Sequence, residues 1–150
     1  KGCIFDDDAV NEFLQKAREA DGFVFGSPVY YAHPSGRILS FLDRAFYAGS
    51  RSSAGSPFAG KPGAAVVSAR RGGTTASLDV LNKYFTIASM PVVGSSYWNM
   101  VHGSKPEDVL EDKEGIQTMR NLGHNMAWML KGLHTGFPAQ EMGARTNFIR

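Results

Sequence analysis

Asp21-Gly22-Phe23-Val24-Phe25-Gly26-Ser27-Pro28-Val29-Tyr30-Tyr31 is the stretch on which the fold turns. Asp21-Gly22 is a turn signal that ends whatever helix comes before it. Phe23-Val24-Phe25 is short and continuously apolar, the pattern of a strand buried on both faces of a parallel sheet. Gly26-Ser27-Pro28-Val29-Tyr30-Tyr31 then reads as a loop leaving the end of that strand.

Working outward, residues 8–20 carry Val10, Phe13, Leu14 and Ala17 at helical spacing. Asp6-Asp7-Asp8 precede them, where a helix dipole favours negative charge, so a cap explains these aspartates better than a metal cluster does. Downstream, residues 34–47 predict a second helix that buries Ile38, Leu39, Phe41, Leu42, Ala45 and Phe46, with Pro34 in its first turn. Residues 49–60, rich in Gly, Ser, Ala, Arg and Pro, predict a flexible surface excursion. Residues 63–67 form a second buried strand, followed by the polar loop Ser68-Ala69-Arg70-Arg71-Gly72-Gly73-Thr74. A third helix is expected over 75–88, a third strand over 91–97, a loop over 98–106 and a last helix over 113–133. Ile116, Met119, Leu122, Met126, Met129 and Leu130 form the apolar side of that last helix.

Helices alternating with strands specify an α/β fold, a doubly wound parallel sheet between two helical layers. Ligands of such sheets bind outside the carboxyl ends of the strands. The loops at 27–31, 68–74 and 97–103 all leave strands at that end and should converge on one site. The pattern opens on a helix with no strand before it. The 150 residues therefore read as the C-terminal two-thirds of one domain, with a strand–helix–strand unit expected upstream in the parent protein.

Composition narrows the partners. The formal net charge is +2 with the basic residues scattered, unlike the concentrated face of a nucleic-acid binder. No apolar run approaches the ~20 residues needed to span a bilayer. Cys3 is the sole cysteine, which excludes an internal disulfide and suits a reducing, cytoplasmic compartment.

Gly26-Ser27-Pro28-Val29-Tyr30, preceded by Ala20-Asp21-Gly22 and followed by Leu39-Ser40-Phe41-Leu42-Asp43-Arg44, resembles the NAD(P)H-dependent FMN reductase family. The likeness is strongest to its iron–sulfur flavoprotein and multimeric flavodoxin-like branch. Phe58-Ala59-Gly60-Lys61-Pro62, the Arg70-Arg71-Gly72-Gly73 loop and Val101-His102-Gly103 agree with it, so that about residues 1–133 are covered. The resemblance implies a flavodoxin-like fold with strand order 2-1-3-4-5, in which these strands are the third, fourth and fifth. The family's first strand and its Ser/Thr-rich phosphate turn have no counterpart here. That departure implies an exposed strand edge at Phe23–Phe25, lower stability and weak flavin binding.

FMN is the implied cofactor, with NAD(P)H as electron donor and a quinone, a flavin or a similar small molecule as acceptor. Ser27, Pro28, Val29, Tyr30 and Tyr31 would border the flavin, with Ser68, Ala69, Arg70, Arg71, Gly72 and Gly73 on its other side. The glycines let the backbone approach the ring. Arg70 or Arg71 would set positive charge near the pyrimidine side, where negative charge develops on reduction. Trp98 and His102 are candidates for a substrate pocket, Trp98 equally for a subunit interface in a homodimer or homotetramer. A [4Fe–4S] cluster needs about four thiolates; Cys3 would serve one only with further cysteines upstream, and otherwise is an ordinary thiol. The alternative function is a non-catalytic FMN-binding electron carrier or regulatory module; a third reading is a truncated product without activity.

Other signals fail on context. Gly55-Ser56-Pro57-Phe58-Ala59-Gly60-Lys61 has P-loop spacing, but Pro62 and a strand follow where Ser or Thr and a helix are needed. His33, His102, His124 and His134 lack metal-ligand spacing, and no Gly-x-Ser-x-Gly elbow occurs. A receiver domain would place Asp where Ser27-Pro28 stands.

Overall fold

The computed structural model describes residues 2–133; residues 134–150, His134 among them, lie outside the described residues. The elements are α1 (Val10–Glu19), β1 (Phe23–Tyr30), β2 (His33–Pro34), α2 (Gly36–Ser50), β3 (Gly63–Ala69), α3 (Thr74–Ile87), β4 (Met100–His102), α4 (Pro106–Glu111) and α5 (Lys113–Gly132). They form a sheet of order β2-β1-β3-β4, parallel except for the β1–β2 hairpin. Two helical layers cover it. Val10, Leu14, Leu42, Phe46, Leu78, Leu81 and Phe85 from α1, α2 and α3 pack with Phe23, Phe25, Ala65 and Val67 on one face. On the other, Leu122, Met126 and Met129 of α5 meet Ala64 and Val66 of β3. Period-two alternation along β3 sends its side chains into both layers.

Of the three aspartates expected to cap α1, Asp8 accepts from Val10 N at 3.0 Å, but the N-cap position itself is Ala9, which has no side-chain cap. Several expectations need correction. β1 continues through Gly26-Ser27-Pro28-Val29-Tyr30, so most of the expected loop is strand. It is also not buried on both faces, since Val24 is 56% exposed. α5 lies over β3 and does not reach it. Pro34 sits in β2, and Ser35 instead caps α2, its Oγ accepting from Ile38 N. Residues 49–60 are more than a surface excursion, because they carry Phe58 into the core at 1% exposure. Its ring stacks on Phe46 with centroids 4.2 Å apart. On α5 only Leu122 is fully buried of the six apolar residues expected there; the other five are half-buried.

The third strand is displaced from 91–97 to Met100–His102, within the stretch expected to be loop. The chain does start along β3: Gly63 N donates to Pro91 O and Val93 N to Gly63 O, at 2.9 and 2.8 Å. It leaves at Gly94 and rejoins where Val67 N donates to Asn99 O at 3.0 Å. α5 holds the excursion out of the sheet. Asn125 Nδ2 donates to Gly94 O at 2.9 Å, Asn121 Nδ2 to Ser96 Oγ at 2.8 Å, and Ser95 Oγ to Thr118 O at 2.6 Å. A period-two reading of apolar residues cannot register such side-chain competition with the ladder.

Candidate functional site

β1 and β2 join through a two-residue turn in which Tyr30 pairs with His33. Its central residues, Tyr31 and Ala32, have φ of 51° and 58°. That is the left-handed geometry that fits the twist of a tight hairpin, usually supplied by Gly or Asn. For ordinary L-residues it costs roughly 1–2 kcal/mol each. The turn is held from below. Ser27, 4% exposed, accepts from Ser35 N at 2.9 Å and donates to Pro28 O at 2.8 Å, tying β1 to the α2 cap. Its hydroxyl thus faces inward, whereas Pro28, Tyr30 and Tyr31 are exposed and Val29 is half-buried.

Gly73 brings the second loop against this turn. Its φ is 93°, and a Cβ there would stand 2.5 Å from Ala32 Cα, 2.9 Å from Ala32 Cβ and 3.0 Å from Val29 Cγ1. Only glycine permits both the backbone angle and the approach. Ser68 pairs with Pro28 in the sheet register and Ala69 with His102. Arg70, Arg71 and Gly72 point away from the core, with open space around Gly72. Immediately after them α3 begins with no side-chain cap on its first amides. Two guanidinium groups therefore stand next to the positive end of a helix dipole.

The third strand adds His102, and Gly103 N donates to Ala69 O at 3.1 Å, closing that loop onto the second. His102 N donates to Asp112 Oδ2 at 2.7 Å, Gly115 N donates to Asp112 Oδ1 at 2.9 Å, and the imidazole Nδ1 lies 3.7 Å from Oδ2. Burial pushes the Asp112 carboxyl up, but the amides of Gly115 and His102, with the imidazole, outweigh it and hold the group below its ordinary value. Asp112 was not anticipated, although an Asp just before a helical pattern is a recognised cap signal. Trp98 is 57% exposed and packs edge-on against Tyr97 with centroids 4.8 Å apart. Trp98 and His102 line neighbouring cavities, with Tyr97 in the wall of both.

Cys3 belongs to a separate group. Arg44 Nη2 donates to its Sγ at 3.2 Å while the same guanidinium pairs with Asp8 and covers the Phe5 ring. The hydrogen bond from Arg44 lowers the Cys3 thiol below its ordinary value. Among the described residues no group of three His, Cys, Asp or Glu side chains is placed to hold a metal ion.

A groove of about 660 Å³ lies elsewhere, lined by Asp21, Lys61, Pro62, Leu130 and Lys131 among others. Asp21 and Pro62 precede β1 and β3, so this groove is at the amino ends of the strands. One of its two ammonium groups is engaged, since Lys61 Nζ donates to Ala17 O and Arg18 O at 2.7 and 3.0 Å. The carboxyl end has the exposed aromatics, helix amides without a side-chain cap and, among the described residues, loop guanidinium groups that form no ion pair, and is the candidate site.

The profile of the NADPH-dependent FMN reductase family matches residues 1–105. An iron–sulfur flavoprotein of Methanocaldococcus jannaschii is 36% identical over 132 residues, covering 83% of this chain and 66% of that protein. The chain thus spans about two thirds of the length of the curated relatives it matches. Among solved structures, an archaeal flavodoxin superposes with a TM-score of 0.53 at 21% identity, covering 79% of this chain and 71% of that one. An NADH:FMN oxidoreductase in its apo form gives 0.59 at 20% identity, covering 81% and 60%. These structural likenesses establish the flavodoxin-like fold.

Proposed function

The chain belongs to the NADPH-dependent FMN reductase family, and on that premise we propose that its carboxyl-end loops hold FMN and serve an oxidoreductase drawing electrons from NAD(P)H. The observation that carries the reading is the seating of Gly73 against Ala32, which brings two strand-end loops into contact at one edge. The residues there fit a planar, electron-accepting ring. Open space at Gly72 lets backbone amides reach its edge, Pro28 and Tyr30 offer exposed apolar surface, and Arg70 with Arg71 supplies positive charge.

FMN, when bound, supplies the two-electron redox chemistry. The chain's own part is to orient and polarise. The loop amides and arginines favour negative charge at their end of the ring, and the same arginines suit the phosphates of a nicotinamide dinucleotide. His102, steadied by Asp112, offers an imidazole beside the second loop that can hold or pass a proton to a small acceptor such as a quinone, a flavin or a nitro compound. Assembly into a homodimer or homotetramer belongs to the same proposal, supported by exposed Tyr47 and Ile87 on α2 and α3. Among the described residues no helix is long and apolar enough to cross a membrane.

The test is the visible spectrum of the protein after reconstitution with FMN and desalting, followed by anaerobic NADPH addition. A retained flavin band that bleaches with NADPH supports the reading. Changing both Arg70 and Arg71 to Ala should raise the KM for NADPH severalfold. A flavin band that NADPH leaves unbleached would instead favour the electron-carrier alternative.

A further inference from the structure

α5 begins beside the carboxyl end of β4, where Asp112 meets the His102 amide, and finishes beside Gly22 and Pro62, at the amino ends of β1 and β3. Its last turns form one wall of the groove of about 660 Å³ described above. Ala127, Leu130 and Leu133 give that wall apolar surface, and Leu133 is 44% exposed. Gly22 keeps the groove open. A Cβ there would stand 3.1 Å from Pro62 Cγ and 3.5 Å from Leu130 Cδ2, in the gap between two residues that line it.

The charges at the groove are Asp21, Lys61 and Lys131. Lys61 is spent on the carbonyls that end α1. Among the described residues, Asp21 and Lys131 form no ion pair. The groove therefore offers apolar surface with one free charge of each sign.

The chain leaves α5 at this place. Leu133, whose N–H donates to Met129 O at 3.0 Å, lies in the groove wall and is the last described residue. His134-Thr135-Gly136-Phe137-Pro138 follow it directly. Gly136 is a turn signal, and Pro138 disfavours helical backbone at Phe137. Phe137 is four residues past Leu133, a span of at most ~14 Å even when extended. Further on, Met142 is apolar, while Glu141 and Arg145 carry the charges opposite to Lys131 and Asp21. So short a tether holds a same-chain segment at an effective concentration on the order of 1 mM, an advantage that a separate partner lacks.

We propose that residues 136–145 fold back into this groove, with Phe137 against Ala127 and Leu130, Glu141 facing Lys131 and Arg145 facing Asp21. The amino end of the sheet is then closed by the chain's own C-terminal segment, and the groove is an intramolecular docking surface. Nothing in this placement depends on a bound flavin.

The test is cross-linking of the full chain in a Cys3→Ser background, with Ala127→Cys and Ala139→Cys joined by a short bis-maleimide and located by peptide mass spectrometry. The control pairs Ala139→Cys with Thr86→Cys, an exposed position on α3 across the sheet from α5. The 127–139 link within one chain should form at least tenfold more than the 86–139 link. Phe137→Ser should lower the thermal midpoint by about 3 °C or more. That shift should shrink by at least half on a Leu130→Ser background, because residues in contact do not act additively. Equal yields from the two cysteine pairs, or an unmoved midpoint in Phe137→Ser, would overturn the proposal. So would equal shifts on both backgrounds. Links formed between chains rather than within one would assign the groove to a second copy and overturn it as well.

Discussion

Gly73→Ala tests the joint on which the site depends. The alanine must adopt a φ of 93°, or the start of α3 must move. Left-handed backbone costs an L-residue roughly 1–2 kcal/mol. The new methyl would also stand 2.5 Å from Ala32 Cα, a backbone atom in a turn that is itself left-handed. Such overpacking typically adds about 1–3 kcal/mol, so the total expected loss is roughly 2–5 kcal/mol. In a chain of this size that lowers the thermal midpoint by about 5–15 °C. Urea unfolding followed by circular dichroism measures the loss, and Ala32→Gly completes a double-mutant cycle by removing the facing Cβ. Gly73→Ala should cost less on the Ala32→Gly background than alone, a coupling expected only for residues in contact. A Gly73→Ala protein within about 0.5 kcal/mol of the parent, the scatter of uninvolved surface changes, would refute the reasoning.

Three further outcomes follow from the packing and the charges. Phe58→Ala should cost about 3–5 kcal/mol in chemical denaturation, because the ring fills the core against Phe46 and Phe23; a loss below about 1 kcal/mol would return residues 49–60 to the role of a surface excursion. Arg44→Leu should raise the apparent pKa at which Cys3 reacts with iodoacetamide, since the guanidinium hydrogen bond holds the thiol low; an unshifted pH–rate profile would contradict that contact. Asp112→Ala should destabilise by about 1–3 kcal/mol at neutral pH, through a lost helix cap and an unmet His102 amide. The Asp112 carboxyl is lower in the folded than in the unfolded protein, so its contribution is complete above the ordinary Asp pKa of about 3.9. It is lost as pH falls through the lowered folded value, and the gap between parent and variant should close on acidification over that range. A gap independent of pH down to the acid transition would show that the charge of Asp112 plays no part.

What the sequence determined by itself was the architecture and the end of it that matters. Apolar runs at Phe23–Phe25 and 63–67, separated by helices of period 3.6, leave a parallel sheet between two helical layers as the one arrangement that buries them. Turn residues after each run then mark the carboxyl edge. Arg70, Arg71, Gly72 and Gly73 were legible as a loop at that edge because glycine and charge carry their meaning locally. Other features depended on contacts between distant segments. The left-handed turn at Tyr31 and Ala32 has no glycine to announce it and is held by its pairing within β1–β2 and by Gly73 some forty residues on. The last strand was misplaced because Asn121 and Asn125 of α5 hold residues 94–96 out of the ladder, so pairing resumes only at Met100. Phe58 was hidden in a polar stretch, and only the stacked rings around it show that it is core. Val24 is apolar enough for an interior strand, yet only tertiary packing decides that α5 lies over β3 and leaves it 56% exposed. Local propensity and periodicity are properties of neighbours in the chain. Which segments compete for a carbonyl, a cavity or a sheet face is settled only when the chain is packed.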